Sequence, residues 1–181
     1  MWSFYFNHGS QWIIDNLFKE GFISEYFGRG KLKWHIINKT PEKIEGYFQN
    51  EDGKPIVKHV ILLENNEIVR VGFYDPSTGK SYWIYKWRRV NENLLEVERE
   101  NVKGEKIVYT VEATRNDADK AVSCLVQFPN LLQIVTLEYN PNGLLIRENI
   151  SCPKDPQEEG VLEYEYDDGN IVAQKAFCKN R

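Results

Sequence analysis

The chain has 181 residues, of which 41% are apolar, 13% aromatic and 28% charged, enough apolar material to bury a core and to exclude intrinsic disorder. Lys plus Arg number 23 against 27 Asp plus Glu, and the resulting net charge of −4 argues against general binding to nucleic acid or an anionic membrane. Apolar runs such as Val60-Ile61-Leu62-Leu63 fall far short of the roughly 20 residues of a membrane-spanning helix, so no membrane span is expected.

One helix is expected near the N-terminus. Ser10 is a suitable N-cap, and Ile13, Ile14, Leu17 and Phe18 form one apolar stripe at helical spacing. Gly21 supplies a stop, which predicts a helix over about 11–20. Phe22, Tyr26 and Phe27 follow as an aromatic group that either extends the helical region or forms a short plug.

From Lys31 the period changes from 3.6 to 2. Twelve strands are predicted near 31–38, 43–49, 57–64, 67–74, 81–90, 94–102, 105–113, 123–128, 132–139, 144–151, 161–166 and 171–178. Asp52-Gly53, Asn142-Gly143 and Asp168-Gly169 supply the positive φ angles of tight hairpins, and Asp75 to Gly79 and Lys103-Gly104 mark further reversals. Short strands at this spacing, without intervening helices, predict consecutive antiparallel hairpins rather than βαβ units. No stretch has the length or composition of a domain linker, so residues 1–181 form a single β domain with the helix capping or plugging one end.

A dozen strands must dispose of their edges by closing into a barrel or splitting into a sandwich, and a meander barrel is expected. This arrangement resembles the calycin architecture shared by lipocalins, fatty-acid-binding proteins and small barrel enzymes. The resemblance is architectural: Gly30-Lys31-Leu32-Lys33-Trp34 does not reproduce the GxW spacing of the first lipocalin strand. The N-terminus lacks the basic and apolar regions of a signal peptide, and Cys124, Cys152 and Cys178 are odd in number, with no CxxC pair. Free thiols and a cytoplasmic or other intracellular location are therefore expected.

Candidate chemistry rests on strand faces. In the strand 82–90, Trp83, Tyr85, Trp87 and Arg89 share one face, suited to line a cavity in which the guanidinium receives an anionic head group; it is equally a barrel core or a stacking platform. Arg99 shares a face with Leu95 and Val97 and is an inward candidate, whereas Arg70, beside Ile68 and Tyr74, reads as outward. His59 shares a face with Val57, Ile61 and Leu63, either as a core histidine or as an acid/base group. Glu138 alternates with Leu132, Ile134 and Thr136, and Glu148 with Leu144, Ile146 and Ile150, so each is a candidate inward carboxylate. The acidic tract Asp155, Glu158, Glu159, Glu163, Glu165, Asp167 and Asp168 reads as a solvated hairpin.

Scattered histidines and cysteines give no metal-ligand spacing, and P-loop, GxGxxG and GxSxG motifs are absent, so no metal or cofactor is expected. Three functions fit this reading. The first is binding of a small amphipathic, hydrophobic or aromatic, anionic ligand inside the barrel through Trp83, Tyr85, Trp87, Arg89, Arg99 and His59. The second is a small isomerase, lyase or decarboxylase acting on such a ligand. The third is a protein-interaction or single-strand nucleic-acid module with the aromatic face outward. Assembly as a homodimer is compatible with all three.

Overall fold

A computed structural model describes residues 2–26, 30–156 and 159–178. It has one helix, α1 (Trp2–Asn16), and strands β1 (Ile23–Tyr26), β2 (Gly30–Lys39), β3 (Lys43–Gln49), β4 (Pro55–Glu64), β5 (Glu67–Tyr74) and β6 (Ser81–Asn91). The remaining strands are β7 (Leu94–Asn101), β8 (Lys106–Arg115), β9 (Ala121–Gln127), β10 (Leu132–Tyr139), β11 (Leu145–Ser151), β12 (Gly160–Asp167) and β13 (Asn170–Cys178). All thirteen form one closed barrel.

β2 to β13 are the twelve strands expected from the alternation, each paired antiparallel with its chain neighbours. The closing element is β1, which lies outside the twelve strands predicted from the alternation. It runs antiparallel to β2 and parallel to β13, bridging the first and last strands of the meander. The parallel pair is a consequence of counting: in a twelve-strand meander the last strand opposes the first, so a strand antiparallel to the first runs with the last. Of the aromatic group expected to extend the helix or form a plug, Phe22 is buried, β1 includes Tyr26, and Phe27 lies outside the described residues.

Four hairpins share one turn. An Asn begins each of the segments 50–54, 101–105, 116–120 and 140–144, and the fourth residue is Gly53, Gly104, Asp119 or Gly143, each with positive φ. The carbonyl of each Asn accepts from the amide of the fourth residue at 2.8–3.0 Å. Its side-chain Oδ1 accepts from the amide of the fifth at 2.8–3.0 Å. Two-residue turns at Asn65-Asn66 and Asp168-Gly169 have positive φ at both central positions, which matches the strand twist.

The helix differs from expectation. It starts at Trp2 and ends at Asn16 instead of covering about 11–20. Gly9 breaks it into two segments with φ 79° and ψ −175°, a backbone region open essentially to glycine alone. The break frees the Phe6 carbonyl, which accepts from Arg115 Nη2 at 3.0 Å. The Ser10 hydroxyl, expected to cap the helix, serves β5 instead: it donates to Glu67 at 2.6 Å and accepts from the Ile68 amide at 2.9 Å. Asn7 holds Tyr139 and the Ala121 amide at 2.7 and 2.9 Å. Tertiary hydrogen bonds and burial of Phe4, Tyr5, Phe6, Ile13 and Ile14 thus outweigh the local capping signal and draw α1 across one end of the barrel.

Several ion pairs lie on the outer face of the barrel. Lys86 and Arg88 meet Glu98 and Glu96, while Glu163 and Glu165 of the acidic tract pair with Arg147 and Lys175. Glu158 lies outside the described residues. No helix among the described residues is long and apolar enough to cross a membrane.

A Gly9→Ala substitution separates backbone strain from crowding, because an added Cβ would meet nothing within 4 Å. It should destabilise the fold by about 1–3 kcal/mol through φ/ψ strain alone, measured as a lower urea midpoint; an unchanged midpoint would show that the break is not required.

Candidate functional site

With α1 across one end, the other end of the barrel is open and holds a cavity of about 650 Å³. Its wall comes from β2 to β6 and β13: Leu32, Phe48, Ile56, Val57, His59 and Phe73, with Tyr82, Trp83, Ala176 and Cys178 toward the rim. The lining is apolar and aromatic apart from a histidine, a tyrosine hydroxyl and a thiol, and the volume suits a small molecule.

The wall is ordered by packing around one glycine. Gly46 lies opposite both Ile36 and His59 in the sheet register. A Cβ built on it would sit 2.3 Å from the His35 carbonyl oxygen and 2.5 Å from the Trp34 six-membered ring. The bare backbone therefore lets the Trp34 indole pass over it. Trp34 is fully buried and donates its Nε1–H to the Phe18 carbonyl at 3.2 Å. Phe73, Phe48, Trp34 and Phe18 then surround His59, with ring centroids 4.3, 5.2, 5.4 and 6.3 Å away.

His59 is 6% exposed, and its Nδ1 has no hydrogen-bond partner among the described residues. Burial against rings disfavours the imidazolium and pushes its pKa down to about 3, so the side chain is neutral across the physiological range. Such an imidazole is a weak base that serves better as a hydrogen-bonding group.

At the rim, the Arg99 guanidinium lies 4.8 Å from the Trp83 ring centroid and 5.6 Å from that of Phe128. Phe128 in turn contacts Tyr109, with centroids 4.4 Å apart. Cation–π attraction holds the charge in place, and no ion pair to Arg99 is found among the described residues. Strict alternation would put Tyr82 on the opposite face from Trp83. The register slips by one residue between Phe73 and Tyr74, so the ladder skips Tyr82, which sits at the rim with its hydroxyl donating to Asp75 at 2.9 Å.

The remaining candidates of β6 are divided along the barrel. Trp87 faces inward but lies under the helix, 5.0 Å from the Trp2 ring and 6.2 Å from that of Tyr5. Arg89 is exposed at that same end, stacked 4.8 Å over Tyr5 and donating to the Glu92 carbonyl. Tyr85 is half-buried between, with its ring 5.7 Å from Phe73. One face therefore carries Trp83 at the cavity and Trp87 with Arg89 at the plug. The outward platform of Trp83 and Trp87 does not form, since Trp87 is buried at 6% exposure.

The two glutamates also separate. Glu138 is exposed and accepts from Asn149, whereas Glu148 is buried and accepts from Ser3 and Tyr164. A skipped residue, Ile146, between Tyr139↔Leu145 and Glu138↔Arg147 places Glu148 on the face of Leu145 rather than with Ile146. A similar slip between Leu62 and Leu63 puts Ile68 on the inward side with Val71 and Phe73, leaving Arg70 outward. Cys124 is buried and its thiol is pushed up to about 12, which makes it inert. Among the described residues no group of three His, Cys, Asp or Glu side chains could hold a metal ion.

Of the other lining residues, Phe48 and Ala176 read from sequence as ordinary strand residues, Ile56 falls just before the strand predicted near 57–64, and Cys178 reads only as a free thiol. Compared with known proteins, the chain matches no family model and no curated sequence.

Two variants check this wall. Gly46→Ala should cost about 1–3 kcal/mol of stability through overpacking and change the near-ultraviolet circular dichroism of Trp34; an unchanged spectrum and stability would refute the close fit. His59 governs acid stability: the unfolded chain binds its proton below its ordinary pKa of 6.5, the folded chain only near 3. Stability from this group is therefore level above pH 6.5 and falls as pH drops toward 3. Between pH 7 and pH 5 the native protein should lose about 2 kcal/mol more than His59→Phe, read from urea denaturation; equal losses would contradict the buried neutral imidazole.

Proposed function

We propose that this protein binds a small amphipathic ligand, hydrophobic or aromatic in body and anionic at one end, in the open half of the barrel. The observation that carries this reading is the apolar cavity with the Arg99 guanidinium stacked on its rim residue Trp83. The rings and aliphatic groups of the wall bury the ligand's body, with each 100 Å² of apolar surface removed from water contributing about 2.5 kcal/mol before the cost of association. Arg99, held between two rings and with Nε buried and unpartnered among the described residues, offers a fixed fork for a carboxylate or sulfonate.

Binding is favoured over proton transfer by the chemistry of the wall. An isomerase or lyase would need an acid/base group beside the arginine that holds its substrate. His59 resists protonation, Glu138 faces outward, Glu148 is engaged by Ser3 beneath the helix, and Arg89 stands at the plugged end.

Titration with 8-anilinonaphthalene-1-sulfonate, a flat aromatic anion, should give saturable one-site fluorescence enhancement. Phe73→Ala and Trp83→Ala should each weaken it by about tenfold. Arg99→Gln should weaken the sulfonate while changing the affinity of neutral N-phenyl-1-naphthylamine by less than about twofold. Absence of saturable binding, or affinities unaffected by all three changes, would overturn the reading.

A further inference from the structure

Four buried side-chain nitrogens lack a hydrogen-bond partner among the described residues: His59 Nδ1, Arg70 Nε, Trp87 Nε1 and Arg99 Nε. Of these four side chains, His59 alone lines the cavity. It comes from β4, flanked by Gly46 on one side and Phe73 on the other, while Trp34, Phe48 and Phe18 complete the rings around it. A phenyl ring would fill such a place at no desolvation cost. A histidine there leaves a polar atom to be satisfied, and the surrounding hydrocarbon offers it nothing.

Resting on the reading that this cavity is a binding site, we infer that His59 is a specificity residue that selects ligands carrying a hydroxyl on the end of the hydrophobic body remote from the anionic group. The reasoning is geometric and chemical. The Arg99 guanidinium stacks on the rim residue Trp83, and the aromatic wall carries the ring nitrogen of His59 that has no partner among the described residues. A ligand that satisfies both is polar at two places and apolar between them. A hydroxyl suits a neutral imidazole in either tautomer, because it both donates and accepts. A second anion is a poorer match, since His59 stays uncharged and offers no counter-charge. The preference follows from a difference in pairing: a site built with a buried polar group discriminates against the analogue that leaves it unpaired.

The test compares 2-naphthoate with 6-hydroxy-2-naphthoate, which share ring and carboxylate and differ by a hydroxyl at the far end. By calorimetry the wild-type protein should bind the hydroxylated acid about tenfold more tightly. His59→Phe should abolish that preference, bringing the affinities of the two acids to within about twofold of each other. A measurement on the unmodified protein runs in parallel: the chain has 3 histidines, so ¹⁵N resonances of the His59 ring can be assigned. The Nδ1 resonance should shift with the hydroxylated acid and not with 2-naphthoate. Equal affinities with an unmoved Nδ1 resonance, as a bound water at Nδ1 would produce, overturn the inference and leave the binding cavity standing. Failure of both acids to bind overturns the cavity reading, and the inference falls with it.

Discussion

A barrel of this strand number is wider than its own wall can fill. At about eight strands, inward side chains meet across the axis; with thirteen, a void would remain unless something else enters. The helix supplies that filling at one end. Trp2, Phe4, Tyr5 and Phe6 extend the aromatic core inward to Trp87 and Tyr164, and the broken geometry at Gly9 lets the second segment carry Ile13 and Ile14 to the same core. One helix of 15 residues occupies one end only. The cavity at the opposite end is thus the counterpart of the plug, and the position of each follows from the other.

The inward polar groups divide along the same axis. Beneath the helix Glu148 is answered by Ser3 and Tyr164, Ser10 by Glu67 and Ile68, and Asn7 by Tyr139 and Ala121, while Trp87 Nε1 has no partner among the described residues. Such bonds secure the plug, because leaving any of these buried groups unpaired would cost about 1–3 kcal/mol. On the cavity side, His59 Nδ1 is surrounded by rings.

Rigidity of the cavity wall has a local cause. Trp34 is wedged over Gly46 and tied to the Phe18 carbonyl, so the residues leading out of the helix and the first three long strands hold one another. Tyr82 is likewise tied to Asp75, whose carboxylate is kept well below the usual range by hydrogen bonds from Ser77, Thr78 and Tyr82. Loop and wall therefore order each other at the rim.

Much of the architecture was legible because it is written locally. Alternation identified twelve strands, and it placed Arg99 and His59 on inward faces beside Val97 and Ile61. Turn residues marked their boundaries, although the repeated Asn-led turn became visible only with its hydrogen bonds. Three things required the tertiary structure. The slips at Val69, Tyr82 and Ile146 move inward and outward assignments by one residue, and a skipped residue leaves no distinctive mark in an apolar strand. β1 is four residues long and has meaning only between two strands distant in sequence. Depth is the third: Trp83, Trp87 and Arg89 share a face, yet one meets the cavity and two meet the helix. Periodicity fixes which side of the sheet a residue faces, because that depends on the pleat of its own strand. Its neighbours across the barrel depend on closure and on where α1 enters, and those are settled by contacts between residues far apart in the chain.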